Sequence, residues 1–86
     1  MGITKIKRPE RLGEKLRRIR LKLGLSQAQM TEALGHYGAK VHRSSISSYE
    51  NDDRLPTPMA ALAYAKLAKT SIDVLIDDER DLPKGF

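Results

Sequence analysis

The chain has 86 residues, which is enough for one small domain and too few for two independent hydrophobic cores. The absence of cysteine excludes disulfides, thiolate metal sites and cysteine nucleophiles. Sixteen basic and eleven acidic side chains give a net charge of +5, which favours a polyanionic partner. No apolar run reaches the roughly 18 residues of a membrane span, and the first ten residues do not resemble a signal peptide. We therefore expect a soluble, cytoplasmic protein with no membrane partner.

The positive charge is concentrated in the first two thirds of the chain. Residues 1–54 hold 12 basic and 6 acidic side chains (+6), whereas residues 55–86 hold 4 and 5 (−1). Nine of the basic side chains lie between Lys5 and Lys22, and five acidic ones lie between Asp73 and Asp81. Either run is equally well explained as a solvated helix face, so charge alone does not identify the partner.

The first predicted helix begins near Pro9 and ends before Gly24, which suits the left-handed position past a helix end. Its apolar residues recur at steps of four, three and four, and we expect them to be buried: Leu12, Leu16, Ile19 and Leu23. The basic residues between them are expected to face solvent: Lys15, Arg17, Arg18 and Lys22.

The second predicted helix has three start signals at one boundary. Ser26 is placed to cap it, Gln29 completes a capping box, and Leu25 can pack on Met30 as a hydrophobic staple. We expect the following residues to be buried: Met30, Ala33 and Leu34. The C-terminal end of this helix has two possible positions: Gly35 can terminate it, or an extra turn can continue to Gly38.

Three further short helices are predicted. The third follows His42 and buries Ile46 and Tyr49, and residues 51–54 form a polar loop. The fourth begins with Thr57 as N-cap and Pro58 in the first turn, and Ser71 can cap the fifth. Their expected buried residues are Ala61, Leu62, Ala65, Ala68, Ile72, Leu75 and Ile76. Since no segment alternates with a period of two, an all-α domain is predicted.

The order of residues along these helices resembles the phage repressor and Cro type of helix-turn-helix DNA-binding domain, the XRE family. The first matching segment carries Leu16, Ile19, Arg20, Gly24, Leu25, Ser26, Gln27 and Met30. The second carries Val41, Ser45, Ile46, Ser47, Tyr49, Glu50, Pro56, Leu62, Ala65, Ser71 and Leu75. The resemblance implies a five-helix, lambda-repressor-like domain at residues 9–77, which we expect to be flanked by a basic arm at 1–8 and an acidic tail at 78–86.

The resemblance also implies roles for individual residues, because the third helix of such domains lies in the major groove of DNA. Arg43, Ser44 and Ser48 fall at base-reading positions. Phosphate contacts are implied for Gln27, Ser47 and Asn51. Arg20 and Glu50 match an ion pair that joins the first helix to the third.

Each role has a plainer structural alternative. Arg43 has the guanidinium fork that pairs with guanine, but it also fits a solvated first turn. The serines encode little sequence by themselves. Gln27 and Gln29 can serve as capping partners, which is the better interpretation for Gln29, and Tyr49 suits the core better than base stacking.

The sequence departs from the family pattern at three places. Residues 36–40 lengthen the turn between the second and third helices, and either extend the second helix or loop out. Lys40, His42 and also His36 then lie near the DNA backbone, unless the insertion is a tolerated surface change. Asp52 replaces a preferred glycine beside the expected phosphate path, where it would weaken binding or aim the loop away. Lys69 and Thr70 occupy positions at which the family prefers glycine and valine.

We therefore expect a transcriptional regulator, a repressor of bacterial or phage origin, that binds duplex DNA as a homodimer. Its dimer contacts would come from Val74, Ile76, Leu82 and Phe86. The alternative is a protein-interaction module, or an antitoxin-like protein whose acidic tail binds a basic partner. No cofactor, metal or enzyme activity is expected, because His36 and His42 lack metal-ligand spacing and no nucleophile triad or phosphate loop occurs.

Overall fold

The computed structural model describes residues 9–86, so the predicted basic arm at residues 1–8 lies outside the described residues. The helices are α1 (Leu12–Lys22), α2 (Gln27–Gly35), α3 (Arg43–Glu50), α4 (Pro58–Leu67) and α5 (Ile72–Ile76). No strand occurs in the described range. The predicted all-α, five-helix fold is confirmed.

The five helices enclose one apolar core. α1 packs on α3, α4 and α5, and α2 packs on α3 and α4. The fully buried apolar side chains include Leu16, Ile19, Met30, Leu34, Ile46, Tyr64 and Leu75. Most of these positions follow the predicted helical periodicity, which explains why each helix has one apolar face towards the others.

Several predicted core positions are wrong. Leu23, at the end of α1, was expected in the core and is exposed. The helix itself begins at Leu12, three residues after the predicted start near Pro9. Ile76 is exposed, whereas Val74 is buried in its place. In α4, Leu62 is half-buried, and the buried residues include three that were not predicted: Ala60, Ala63 and Tyr64.

Ser26, Thr57 and Ser71 are the N-cap residues of α2, α4 and α5 as predicted, and the side-chain capping hydrogen bond forms at the first two. Ser26 and Gln29 form the reciprocal capping box of α2, and the Thr57 hydroxyl accepts a hydrogen bond from the Ala60 N–H at the start of α4. Ser71 makes no side-chain hydrogen bond to the backbone of α5. α5 is therefore held mainly by its buried residues and by the contacts described below.

Four helices end in the same backbone arrangement. The chain turns through a positive φ at Gly24 (72°), Gly38 (87°), Asp52 (60°) and Lys69 (55°). The N–H of the next residue then bonds to a carbonyl five residues back, as in Leu25 to Arg20 and Ala39 to Leu34, both at 3.1 Å. This is the Schellman motif, which glycine adopts without steric cost. Asp52 and Lys69 adopt it against the preference of residues that carry a Cβ.

The insertion continues α2 by a turn that closes at Gly38. Ala39 enters the core, and a Cβ on Gly38 would lie 3.5 Å from the Met59 Cε of α4. The Lys66 ammonium lies 6.0 Å from the centre of the Tyr37 ring. The lengthened turn therefore packs on α4, while Tyr37 itself stays exposed.

Lys15 is buried, which corrects the prediction that it faces solvent. Its ammonium donates to the carbonyl oxygens of Val74 (2.8 Å), Asp77 (2.9 Å) and Arg80 (2.6 Å). Burial lowers the pKa of Lys15, but all three N–H donors have acceptors and the nearby carboxylates of Asp78, Asp81 and Asp77 favour the charged form. Lys15 thus ties α1 to the end of α5.

The acidic C-terminal residues fold back on the start of α1. The Asp78 carboxylate accepts the Glu10 and Arg11 N–H groups, at 2.9 and 3.0 Å, and these hydrogen bonds lower the pKa of Asp78. Leu82 is buried in the core and Phe86 packs against it. The tail is therefore part of the packed structure.

α1 and α3 meet closely at Gly13. A Cβ at this position would lie 2.6 Å from the Glu50 carbonyl oxygen, so no larger residue fits without a shift. The Gly13 N–H donates to the Asp52 carboxylate at 3.0 Å. Asp52 therefore caps the first turn of α1 from the end of α3, where a negative charge also suits the helix dipole.

We expect Lys15→Met to lower the free energy of unfolding by about 3 kcal/mol, because it leaves three carbonyl oxygens without their charged donor. Arg17→Met, on the exposed side of the same helix, should change stability by less than about 0.5 kcal/mol. Urea denaturation followed by far-UV circular dichroism measures both. Equal stability of the two variants would contradict the assigned role of Lys15.

We expect Lys69→Gly to stabilise the protein by about 1 kcal/mol, because it relieves the left-handed backbone conformation. Asp52→Gly relieves the same conformation but loses the hydrogen bond to Gly13, worth about 1 kcal/mol, so its net effect should be near zero. Chemical denaturation of the two variants side by side tests this difference. A gain at Asp52 as large as that at Lys69 would show that the cap contributes nothing.

Candidate nucleic-acid interface

One face of α3 is polar and lies at the surface. Five polar residues form this face. Because successive residues of an α-helix are about 100° apart, the five fall within a stripe about 140° wide, opposite the buried Ile46 and Tyr49. The stripe consists of Arg43, Ser44, Ser47, Ser48 and Asn51, of which Arg43, Ser44 and Asn51 are exposed and the other two are half-buried. The structure thus places the predicted base-reading residues and two predicted phosphate contacts on one face.

The orientation of α3 is set by an ion pair as well as by its apolar residues. The Arg20 guanidinium bonds both Glu50 carboxylate oxygens, at 2.6 and 2.9 Å, and also donates to the Leu25 carbonyl at 3.0 Å. The two side chains are 12% and 5% exposed, so solvent screens the pair little. The hydrogen bond to Glu50 raises the pKa of Arg20. Arg20 therefore connects α1, the start of α2 and α3.

Tyr64 lies close to this ion pair. Its ring is fully buried, and its hydroxyl bonds no residue in the described range. Burial raises the pKa of Tyr64, and the nearby Glu50 adds to the shift, so the hydroxyl stays neutral. Sequence analysis missed Tyr64, although a single aromatic residue in an alanine-rich helix is itself a signal for the core.

The start of α2 presents a second polar surface. The Ser26 and Gln29 side chains are used in the capping box, at 3.1 and 2.8 Å, so Gln29 has the structural role expected of it. Gln27 is half-buried, and no hydrogen bond joins its side chain to residues 9–86. The first N–H groups of a helix have no intrahelical acceptor, which suits this end to an anion.

Cations flank the N-terminal end of the α3 stripe. Lys40 and His42 are exposed, and His42 is the N-cap residue of α3 without a side-chain capping bond. Within the described part of the chain, Lys40 and Arg43 form no ion pair. His36, in the turn after α2, is exposed as well. The positive charges of Lys40 and Arg43 are therefore available to a ligand at this end.

Asp52, which the sequence analysis placed beside the expected phosphate path, contacts α1. Its carboxylate is engaged by the Gly13 N–H of α1. The same turn leaves Arg54 exposed, with its N–H bonded to the Ser48 carbonyl at 3.3 Å. The departure from glycine thus has a structural use in the contact between α1 and α3.

Most of the basic run in α1 is not available to a polyanion. Arg11 and Arg18 pair with Asp81, Arg20 pairs with Glu50, and Lys15 is buried. The positive charge beside α3 comes instead from Lys40, Arg43 and Arg54, which are exposed. Only part of the excess positive charge that suggested a polyanionic partner therefore lies on the surface beside α3.

The residues proposed from sequence for dimer contacts are mostly used within the chain. Val74 and Leu82 are buried and Phe86 packs on the core, whereas Ile76 is exposed. In the described range, no group of three or more potential metal ligands occurs and no helix is long and apolar enough to cross a membrane.

Comparison with known proteins identifies a family that includes this site. A helix-turn-helix family model matches residues 16–75, which is 60 of the 86 residues and spans α1 to α5. The matched range includes the Arg20–Glu50 pair and the entire α3 stripe. No curated protein matches the chain. Proteins of this family bind double-stranded DNA and regulate transcription, and enzymatic activity is not general among them. The chain therefore belongs to the Cro and repressor type of helix-turn-helix protein, the XRE family.

Proposed function

We propose that this chain is a transcriptional repressor that binds duplex DNA sequence-specifically, with α3 in the major groove. The observation that carries the proposal is the polar stripe of α3, which lies at the surface beside Lys40 and Arg43, two cations that form no ion pair with any of residues 9–86. Ile46, Tyr49 and the Arg20–Glu50 pair hold the stripe in a fixed orientation. A preorganised stripe limits the entropy lost on binding, which favours affinity.

Base reading is assigned to the N-terminal half of the stripe. Arg43 can bond O6 and N7 of guanine together, and no described carboxylate competes for its guanidinium. Ser44 and Ser48 are short, so they let the helix approach the bases closely and add hydrogen bonds of low selectivity. DNA shape supplies the remaining discrimination.

Phosphate contacts are assigned to the residues around the stripe. Gln27 and the first turn of α2 bind one phosphate, and Ser47 with Asn51 bind backbone beside α3. Asn51 donates to the Ser47 hydroxyl at 3.4 Å, so the two side chains already lie together. Lys40 and His42 extend the contact from the lengthened turn, where both are exposed.

We also propose that the repressor acts as a homodimer. The eight residues of α3 span about 12 Å, so one copy reads only a short half-site. Two copies double the number of base contacts, and occupation of the operator then blocks transcription.

A second candidate function is binding to a protein partner through α4 and the lengthened turn. Tyr37 and Met59 are exposed apolar residues, and the turn at Gly38 contacts Met59. This surface could serve a partner with or without DNA binding.

Fluorescence anisotropy on duplexes selected from a random pool tests the leading proposal. We expect Arg43→Ala to lose about 1–3 kcal/mol on the selected duplex and to relax specificity at one base pair. Gln27→Ala should weaken all duplexes alike and leave the salt slope unchanged, because the glutamine side chain carries no charge. Lys84→Ala, in the tail, is the matched control and should leave specificity unchanged.

Two results would count against the proposal. Unchanged specificity of Arg43→Ala would mean that another face of the domain reads the bases. No binding to any duplex at about 50 mM salt would favour the protein-interaction function instead.

A further inference from the structure

Two cations of α1 remain free. Arg17 and Lys22 are exposed, and their charged groups form no ion pair with any of residues 9–86. The other basic side chains of this helix are buried or paired with carboxylates, as described above. Since the two free cations carry the same charge on the same helix, their positions around its axis decide whether either can meet DNA at α3.

Arg17 lies beside the face of α1 that contacts α3. Gly13 and Arg20 define that face, since Gly13 meets the end of α3 and Arg20 bonds Glu50. At about 100° per residue, Arg17 is about 40° around α1 from Gly13 and about 60° from Arg20, in the same direction. Leu16 is turned by a similar angle the other way and is fully buried. Arg17 therefore lies on the outer side of the contact between α1 and α3.

The polar stripe of α3 begins on the same outer side. Glu50 marks the side of α3 that meets α1, and the buried Ile46 is about 40° from it towards the core. Ser47 and Asn51 are turned from Glu50 the other way, by about 60° and 100°. Since the buried sides of both helices belong to one apolar core, Arg17 lies on the same outer surface as Ser47 and Asn51.

The C-terminal end of the stripe is otherwise poor in positive charge. Its two proposed phosphate contacts, Ser47 and Asn51, are neutral. The turn that follows α3 holds two exposed carboxylates and one exposed cation: Asp52, Asp53 and Arg54. Carboxylates beside a phosphate repel it unless cations offset them. Arg17 can do so, because an arginine side chain is long and its guanidinium can hold a phosphate through two hydrogen bonds.

We propose that Arg17 binds a DNA phosphate on the outer side of the contact between α1 and α3, together with Ser47 and Asn51. This inference rests on the proposed DNA binding and adds a contact from α1 to those of α2 and α3. Arg17 supplies the positive charge of the site, whereas Ser47 and Asn51 supply neutral hydrogen bonds. A phosphate contact carries no sequence information by itself, so Arg17 raises the affinity for every duplex.

The test compares Arg17→Gln with Lys22→Gln, two substitutions that each remove one positive charge from α1. Lys22 is turned by about 180° from Gly13 around the helix axis, so it lies on the side away from α3. Both residues are exposed, and thermal unfolding checks that both variants retain the fold. Anisotropy measures the affinity for a random-sequence duplex and for a selected duplex from about 50 to 200 mM salt.

We expect Arg17→Gln to bind both duplexes about five to ten times more weakly than the wild-type protein at about 100 mM salt. The slope of log affinity against log salt should become shallower by about 0.9, since one phosphate is no longer neutralised. The ratio of the two affinities should stay the same. Arg17→Lys keeps the charge and should keep the slope, whereas Lys22→Gln should change affinity by less than about twofold and leave the slope unchanged.

A double-mutant cycle tests whether Arg17 and Asn51 hold the same phosphate. Arg17→Gln combined with Asn51→Ala should weaken binding less than the product of the separate losses, because either change already loosens that phosphate. Arg17→Gln combined with Gln27→Ala should give the full product, since Gln27 is assigned to another phosphate at the start of α2.

Equal losses in Arg17→Gln and Lys22→Gln would overturn the proposal, because net charge alone would then explain them. An unchanged salt slope in Arg17→Gln, or a full product of losses with Asn51→Ala, would overturn it as well. Failure of the underlying function looks different, because the wild-type protein and every variant would then bind no duplex at low salt.

Discussion

The bidentate ion pair between Arg20 and Glu50 is the contact on which the candidate interface depends. It joins α1 to α3, and the same guanidinium reaches the start of α2 through the Leu25 carbonyl. The pair is nearly dry, so removal of either partner would leave a buried charge behind. The Arg20 side chain therefore helps to orient both helices of the helix-turn-helix unit, α2 and α3.

α1 is the support for the remainder of the domain. Towards α3 it offers Arg20 and the close approach at Gly13, where Asp52 caps its first turn. Towards α5 and the tail it offers Lys15, whose ammonium satisfies three carbonyl oxygens. Because these contacts are polar and directional, they fix how the helices are arranged, whereas the apolar core mainly provides the driving force for packing. The basic character of α1 therefore has a structural use first, and contributes little free charge near α3.

Much of the fold could be predicted from local signals. The Ser26–Gln29 capping box and the Thr57–Pro58 start involve residues three positions apart or adjacent, so their chemistry is visible in the sequence. The polar stripe of α3 follows from the spacing of Ile46 and Tyr49, and the ordered motif residues predicted the family. Errors occurred where side chains contact distant segments. The sequence predicted that Lys15 faces solvent, because the carbonyl oxygens that accept its hydrogen bonds lie about 60 residues away along the chain.

The sequence by itself determined the helices, the caps of α2 and α4, the polar face of α3 and the family, since all of these are encoded over a few residues or in the order of motifs. Only the tertiary structure decided which charges remain free. The ion pairs of Arg11 and Arg18 with Asp81, and the cap that Asp52 supplies to α1, join residues far apart in the chain. Helical periodicity assigns a residue to a face, but it does not specify which partner that face meets. Packing brings the acidic tail to α1, and the net charge of +5 is thereby divided between internal ion pairs and the surface beside α3.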